Sequence, residues 1–325
     1  MHIYQEILDA RRRIEGKVLR TPLLHSAALS ALTGGQVFLK MESEQRTGSF
    51  KLRGATNKIY WLEERNDRSA VFTASTGNHG LGVASALSAT GRQGCIVVPR
   101  QAASTKVRAL KALGVKVEQH GDDCFVSETY ARQRAEAEGA VYISPYNDPQ
   151  IIGGQGTVAC ELLEQLPEKP DNIFVTVGGG GLIAGIGTYL RNEQPDCRIY
   201  GCQPALSAEM ALSVQRNTYT TVEARETLSD ASAGPFEADS ITFPLCRDIV
   251  DEFFLAEEDR IGRGICWMLD HERKLVEGAA AVALAPLLRD PKRWRGQCSV
   301  VVICGGNISR EKLRLVLEDH RADPS

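Results

Sequence analysis

Between Ala70 and Ser144, short apolar runs alternate with stretches of helical periodicity, and this alternation limits the possible folds more than any other feature. Four runs have the length and composition of strands, namely 71–74, 95–98, 115–118 and 141–144. Helical patterns separate them near 79–90, 104–113 and 124–138. Strands that alternate with helices in this way form parallel sheets with right-handed crossovers. A compact α/β unit is therefore predicted here.

The chain on either side of this unit carries a second set of strand and helix signals. Amphipathic helices are predicted at 3–14 and from the stretch around Lys51 to about Arg65. Further strands are predicted at 37–40, 173–177, 198–202 and 299–303, and further helices at 157–166 and over 258–290. Residues 216–245 are polar and irregular, and connections of this length often form lids or binding segments. The whole chain is therefore predicted to be α/β.

The composition of the chain argues against several classes of function. The net charge of −3 implies no broad basic surface, so we expect no nucleic-acid partner. No apolar run approaches the roughly 20 residues that span a bilayer, and the N-terminus lacks a signal-peptide core. The nine cysteines are scattered without a C-x-x-C pair, which favours reduced thiols in a cytoplasmic protein over disulfides or a zinc site.

The stretch from Arg46 to Asn57 places one lysine, Lys51, between small polar residues and a predicted helix start. Ser49 is expected to cap that helix with its side-chain oxygen. A helix start and partial burial both lower the pKa of a lysine, which makes its amine a nucleophile toward carbonyl groups near neutral pH. A lone lysine is more often an exposed residue on a helix. Other features must decide between these interpretations.

Three turns at predicted strand ends supply that decision: Gly178 to Gly181, Ser75 to Gly80, and Cys304 to Asn307. Backbone amides at a helix start suit phosphate or carboxylate groups. The first turn is not a dinucleotide-binding motif, because Ile183 stands where G-x-G-x-x-G needs its third glycine. Each turn alone could be structural. Ligands of doubly wound sheets bind at the carboxyl ends of strands, so the three turns and Lys51 together predict a coenzyme pocket.

These motifs identify a resemblance to the fold-type II pyridoxal-phosphate enzymes, which have the fold of the tryptophan synthase β subunit. The resemblance is to the serine/threonine dehydratase and serine racemase group, and it extends from Arg20 to Asn307. It is carried by the residues at 49–55, 75–80, 154–157 and 178–182. It implies two doubly wound α/β domains with the coenzyme in the cleft between them. Residues 1–68 and 150–325 would form the large coenzyme-binding domain, and residues 69–149 the small substrate-side domain.

The resemblance also implies roles for individual residues. Lys51 would form the Schiff base with pyridoxal 5'-phosphate, Asn78 would bond the ring hydroxyl, and Cys304 would face the pyridine nitrogen. The implied coenzyme contacts are Phe50, Lys51, Asn78, Gly178, Gly179, Gly180, Gly181, Leu182, Glu277 and Cys304. The implied substrate contacts are Ser75, Thr76, Asn78 and His79, and the implied catalytic residues are Lys51 and Thr76.

The implied activity is that of an ammonia-lyase, which converts an L-3-hydroxy amino acid of the threonine or serine type to a 2-keto acid and ammonia. A thiol such as Cys304 cannot hold a protonated pyridinium as a carboxylate would. The coenzyme is then a weaker electron sink, which suits β-elimination. The chain resembles the short, catabolic-type enzymes of the group, which are usually homodimers.

Departures from the group's pattern keep alternatives open. Thr76 stands where the racemases carry a serine that acts as the opposite-face base, and where typical threonine dehydratases carry alanine. A serine or aspartate racemase is therefore the second hypothesis, with a dehydratase for hydroxyaspartate or another larger substrate beside it. The unusual residues 235–240, and a resemblance to hydroxyectoine-utilisation dehydratases at Glu277, leave the substrate side chain open.

A divalent-cation site of the group would map to Gln203, Ser207 and Glu209. Because Gln203 replaces a glutamate there, we expect no metal. Three further classes are disfavoured. A β-replacement enzyme has different residues around its lysine, a nicotinamide oxidoreductase needs the missing glycine spacing, and a protein that merely carries the coenzyme needs no intact lysine.

Overall fold

The computed structural model describes residues 2–223 and 225–320, and the backbone there forms two β-sheets. The strands of the described residues are β1 Leu23–His25, β2 Gln36–Lys40, β3 Val71–Ala74, β4 Gly94–Val98, β5 Lys116–Gln119, β6 Val141–Tyr142, β7 Asn172–Thr176, β8 Arg198–Pro204, β9 Glu252–Ala256 and β10 Cys298–Val302.

Helices connect and cover these strands. They are α1 Ile3–Ile14, α2 Ala27–Thr33, α3 Lys51–Glu64, α4 Asn78–Thr90, α5 Ser104–Ala112, α6 Cys124–Ala137, α7 Pro149–Gln165, α8 Gly181–Glu193, α9 Glu209–Arg216, α10 Thr242–Ile249, α11 Glu258–Trp267, α12 Gly278–Val282, α13 Ala285–Arg289 and α14 Arg310–Asp319.

The large sheet has the strand order β1-β2-β10-β7-β8-β9, and the small sheet has the order β5-β4-β3-β6. Every pairing is parallel except that of β1 with β2. The α/β class and the parallel unit predicted from residue 70 onward are thereby confirmed. Because parallel strands share a direction, the turns after β7 and β10 open at one edge of the large sheet, where ligands of such sheets bind.

The core of the large sheet is made by apolar strands and by helices that approach each other closely. Strands β7 and β10 are buried along their whole length, as expected of central strands covered on both faces. The backbones of helices α7 and α8 pack directly against each other. A Cβ added to Gly185 would lie only 2.6 Å from the backbone nitrogen of Gly156. Glycine is required at this crossing, and it fixes the start of α8 relative to the sheet.

Some predicted boundaries were wrong for identifiable reasons. Helix α7 begins at Pro149 instead of residue 157, because Asp148 caps it through bonds from the amides of Gln150 and Ile151. Proline favours the first turn of a helix, and the glycines that weaken the helical pattern of α7 serve close packing instead. Strand β9 was not predicted. The predicted helix over 258–290 is interrupted between Met268 and Glu277, where Arg273 has a φ of +58°.

In its described parts, residues 217–223 and 225–241, the long connection between α9 and α10 is mostly irregular, as predicted, and contains a short 3₁₀ turn at Asp230–Ser232. Its C-terminal end is more regular than expected, because Thr242 already begins α10. None of the described helices combines the length and apolar character that a bilayer crossing requires. Within the described residues, which include all nine cysteines, no disulfide is formed.

Candidate active site

Lys51 is the first residue of α3 and lies between turns that belong to both sheets. Its Nζ donates a hydrogen bond of 2.8 Å to the carbonyl oxygen of Pro145, which follows the small-sheet strand β6. The preceding Phe50 donates its amide to the carbonyl oxygen of Cys304, which follows the large-sheet strand β10, at 3.1 Å. The Phe50 ring centroid lies 5.2 Å from Lys51 Nζ. The lysine therefore stands where the two sheets face each other.

The surroundings of Lys51 leave its amine only weakly basic. Burial lowers the pKa of Lys51 to about 8, although the nearby Cys304 and Glu277 act in the opposite direction. Among the described residues, no carboxylate forms an ion pair with Lys51, so the loss of solvation is only partly offset. A substantial share of the amine is therefore neutral near pH 7 to 8, which is the form that attacks a carbonyl carbon.

The predicted cap of α3 was wrong. The helix is preceded by Phe50 in helical conformation with no side-chain cap, whereas Ser49 forms an isolated antiparallel bridge with Gly305. The Ser49 hydroxyl is buried and finds no hydrogen-bond partner, and neither does the hydroxyl of Thr47. Phe50 stands between Ser49 and the first helical residue, and the backbone of Ser49 pairs with Gly305.

The glycine turn after β7 leads directly into α8. Gly180 has a φ of +83°, and no side chain caps the helix that begins at Gly181. A Cβ on Gly178 would lie 2.9 Å from the carbonyl oxygen of Ser232, and one on Gly180 would lie 2.8 Å from Cys246 Sγ. These positions accept only glycine, and the uncapped amides of the first helical turn form a cradle for an anion. Leu182 in that turn is buried.

Tyr146 brings the small-sheet side of the molecule against this glycine cradle. A Cβ on Gly179 would come within 2.3 Å of the Tyr146 ring, and one on Gly181 would lie 3.0 Å from Tyr146 Cβ. Tyr146 follows Pro145 directly, so the carbonyl that holds Lys51 and the ring that covers the glycines are neighbours in the chain. The lysine and the cradle are therefore positioned by one short loop, residues 144–147.

A ring of hydrogen bonds crosses the cleft on the other side of Lys51. Asn78, at the start of α4, donates its side-chain amide to both carboxylate oxygens of Glu277, at 2.8 and 3.1 Å. Asn307 donates its side-chain amide to Asn78 at 2.7 Å and its backbone amide to Glu277 at 3.2 Å. Burial raises the pKa of Glu277 to about 7, against the lowering effect of the Asn78 bond.

Of the three other residues predicted to bind substrate, Ser75 and Thr76 lie in the turn that precedes α4, and His79 lies in the first turn of that helix. Ser75 accepts a hydrogen bond of 3.1 Å from the amide of Gly77, and both Ser75 and Thr76 are partly exposed. His79 is buried, and its Nε2 lies 3.2 Å from the carbonyl oxygen of Ile143. Burial lowers the pKa of His79 to about 3, and nearby Lys51 lowers it further, so the imidazole is neutral. His79 supports this turn as a neutral, buried side chain.

Cys304 supplies a neutral group at the end of β10. Burial raises the pKa of its thiol well above the ordinary value, and Glu277 adds to this effect. The side chain is 3% exposed. Cys304 therefore offers an uncharged sulfur, which can neighbour an aromatic nitrogen without imposing a charge on it.

The residues to which a cation site would map form hydrogen bonds within the protein. Gln203 accepts a hydrogen bond of 2.7 Å from the amide of Ala211, and Ser207 donates to Glu209 at 2.8 Å. Over residues 2–223 and 225–320, no group of three or more histidine, cysteine, aspartate or glutamate side chains is arranged to hold a metal.

The donor set around Lys51 fits pyridoxal phosphate. An amine of lowered pKa suits the aldehyde, a glycine cradle at a helix start suits the phosphate, and a neutral thiol suits the pyridine nitrogen. The buried hydroxyls of Thr47 and Ser49, which lack partners, are further polar atoms at the lysine stretch. The structure thus brings the sequence-predicted turns around one lysine. Sequence reasoning missed Pro145 and Tyr146, and only their position before the capping residue Asp148 marked them as a turn.

Comparison with known proteins agrees with this chemistry. The family model described as "Pyridoxal-phosphate dependent enzyme" matches residues 14–306. The L-threonine ammonia-lyase of Thermotoga maritima is 38% identical over 94% of this chain and 75% of its own length. The catabolic L-threonine dehydratase TdcB of Escherichia coli is 34% identical over 95% of this chain and 94% of its own. The processed form of threonine deaminase isoform 2 from Solanum lycopersicum is similar in structure, with a TM-score of 0.93, 31% identity, and coverage of 99% of this chain and 89% of that one.

Proposed function

The chain belongs to the family of pyridoxal-phosphate dependent enzymes, and from this premise we propose that it is an ammonia-lyase for an L-3-hydroxy amino acid of the threonine type. The products would be a 2-keto acid and ammonia. One observation carries the proposal: a lysine amine with a pKa near 8 and no carboxylate partner lies between a glycine cradle and a turn rich in hydroxyl and amide groups.

The residues of the cleft divide the work between them. We assign to Lys51 Nζ the attachment of the coenzyme and the removal of the substrate α-proton, because a substantial share of its amine is neutral near pH 7 to 8. The amides from Gly178 to Leu182 would hold the phosphate, and Phe50 would pack beside the ring. Ser75, with the side-chain amide of Asn78, would orient the substrate carboxylate. When bound, pyridoxal phosphate supplies the aldehyde and a ring that accepts the electron pair left by the α-proton.

Cys304 and Glu277 set the electronic character of the site. The thiol of Cys304 stays neutral, so it favours a neutral pyridine nitrogen and a modest electron sink, which suits loss of a β-hydroxyl. Glu277 accepts two hydrogen bonds from the side-chain amide of Asn78 and thereby fixes the orientation of that side chain. Cys304 acts as a neutral neighbour of the ring and Glu277 acts through its hydrogen bonds to Asn78, whereas Lys51 Nζ is the proposed base.

We also propose the assembly and setting of the enzyme. The two sheets support a division into a large domain, residues 1–68 and 150–325, and a small domain, residues 69–149. The absence of disulfides among nine cysteines, most of them buried, supports a reducing cytoplasmic environment. The resemblance to the dehydratase group supports a homodimer.

Keto-acid release tests the proposed activity directly. The purified protein would be supplied with pyridoxal phosphate and a panel of L-3-hydroxy amino acids, namely threonine, serine and 3-hydroxyaspartate. We expect release of 2-oxobutanoate from threonine, and complete loss of release in Lys51→Ala. Absence of any keto acid from a protein that shows the absorption of lysine-bound coenzyme would refute the dehydration.

Thr76 separates dehydration from racemisation. Its hydroxyl stands in the turn of Ser75, on a side chain that is partly exposed at the cleft. If the hydroxyl acts as a proton donor on the face opposite Lys51, Thr76→Ala removes racemisation and spares keto-acid release. Chiral chromatography of the amino acid recovered from both proteins measures this directly. Equal racemisation in both proteins would show that Thr76 has no such role.

A further inference from the structure

Residues 235–242 are the end of the connection between α9 and α10 together with the first residue of α10, and they contact both the large-sheet and the small-sheet sides of the cleft. We name them the cover segment. Its first part is anchored by Phe236, which is 3% exposed and packs edge-on against Tyr219 with ring centroids 5.1 Å apart. Its last part is tied to the glycine cradle, because Thr242 donates its hydroxyl to the carbonyl oxygen of Gly179 at 2.7 Å. Between these anchors lies Glu237.

Glu237 makes an unusual number of contacts with the small-sheet side. Its carboxylate accepts from Arg132 on α6 and from the side-chain amide of Asn147, each at 2.8 Å, and from the hydroxyl of Ser144 at 3.5 Å. Its backbone amide donates to the hydroxyl of Tyr146 at 2.9 Å. The contact continues beyond Glu237, since Asn147 accepts the amide of Ile241 at 3.0 Å.

All but one of these partners belong to the loop 144–147, which also builds the active site. Pro145 of that loop holds the amine of Lys51, and Tyr146 covers Gly179 and Gly181. The side chains of Arg132 and Glu237 are 38% and 24% exposed, so their ion pair is partly protected from solvent. A shift of Glu237 would therefore be transmitted through one short loop to both the lysine and the phosphate cradle.

We propose that Glu237 is a positioning residue of the coenzyme cleft. By accepting hydrogen bonds from Arg132 and Asn147, it holds the cover segment on the loop 144–147 and fixes Pro145 and Tyr146 against Lys51 and the glycine cradle. It touches no reacting atom. Its loss loosens the cleft and speeds escape of the coenzyme from a protein that stays folded.

The test compares coenzyme release from the holoenzyme of the wild type, Glu237→Gln, Arg132→Met and the double variant. Glu223→Gln is the matched control, since it makes the same change in the same connection at an exposed pair with Arg225. Release of pyridoxal phosphate to an excess of an aldehyde trap is followed by absorbance, at a temperature where circular dichroism shows every protein folded. Loss of charge-assisted hydrogen bonds predicts release about tenfold faster in Glu237→Gln.

The double-variant cycle separates positioning from general stability. If the pair acts as proposed, Arg132→Met also speeds release, and adding it to Glu237→Gln brings little further change. Strictly additive effects, or release from Glu237→Gln at the rate of Glu223→Gln, would overturn the inference. If Glu237→Gln does not fold, the release rate of Arg132→Met tests the inference by itself.

The inference rests on the proposed coenzyme site. A wild-type protein that retains no coenzyme would overturn both, whereas normal retention with unchanged release in Glu237→Gln would overturn this inference alone.

Discussion

Helix α3 places two cations, Lys51 and Arg53, in opposite electrostatic surroundings within its first turn. The Arg53 side chain is completely buried and bonds Glu42 at 2.7 and 2.8 Å and Glu161 at 2.7 and 2.8 Å. Lys40 bonds Glu161 as well, at 2.7 Å. Lys51, by contrast, has a carbonyl oxygen as its hydrogen-bond partner. We name the first set, Lys40, Glu42, Arg53 and Glu161, the ion network.

The difference shows in the pKa of each cation. Burial alone would lower the pKa of Arg53, but Glu42 and Glu161 outweigh it and raise that pKa. Burial lowers the pKa of Lys51, and the nearby Glu277 does not reverse the change. A buried cation with carboxylate partners is a structural group, whereas one without them is a reactive group. The first turn of α3 thus carries a structural cation, Arg53, on one face and a reactive amine, Lys51, on the other.

The largest effect is expected from breaking the ion network. Glu42→Gln removes a completely buried carboxylate and leaves Arg53 short of one charge partner. Breaking such a buried pair costs about 3–5 kcal/mol of unfolding free energy. Urea unfolding followed by circular dichroism measures it. The control is Glu164→Gln, whose exposed pairs with Arg11 and Arg20 contribute about 0–1 kcal/mol each. Equal losses in the two variants would show that the network is no more structural than a surface pair.

A smaller effect is expected at Glu277, where burial favours the protonated form of the carboxyl group. Its pKa is raised to about 7 from 4.5, so the folded state binds more protons than the unfolded state between these values. Stability of the coenzyme-free protein should therefore fall as the pH rises from about 4.5 to 7, by about 3 kcal/mol at most. Glu277→Gln should lack this slope, while the exposed Glu226→Gln should keep it. Unfolding in urea at pH 5, 6 and 7 makes the comparison, and parallel profiles for wild type and Glu277→Gln would contradict it.

The cleft around Lys51 and the ion network also differ in how far the sequence could predict them. The turns at 75–80, 178–181 and 304–307 were recognisable because glycines and small polar residues at strand ends are local signals. Lys51 was recognisable from its flanking residues. The prediction of Ser49 as a helix cap was wrong because its backbone conformation is set by Gly305, which is distant in the chain.

Groups that act through distant partners left no local signal. Pro145 holds an amine 94 positions away, and Glu237 bonds an arginine 105 positions away. The ion network likewise joins residues from β2, the turn after it, α3 and α7, and single residues such as Glu161 read as ordinary helix-surface positions. What could be predicted is the part of the site built by backbone geometry near each residue. The charge environment that makes Lys51 reactive and Arg53 structural depends on the assembled fold.

The smallest effect is expected from the titration of Lys51, the reactive cation of α3. The pKa of Lys51 is lowered from 10.5 to about 8, so between these values the unfolded state binds more protons than the folded state. The contribution of Lys51 to the stability of the coenzyme-free protein should therefore improve as the pH rises from 8 to 10.5. The full shift corresponds to about 3 kcal/mol, but the side chain is partly exposed, and we expect about 1 kcal/mol. Lys51→Met removes the titrating amine with little change in length, so the stability of wild type relative to this variant should increase between pH 8 and 10. Arg53 does not titrate in that range, so the loss of unfolding free energy caused by Glu42→Gln should stay constant from pH 8 to 10. A constant difference between wild type and Lys51→Met would mean that Lys51 is as well compensated as Arg53, and the contrast between the two faces of α3 would be lost.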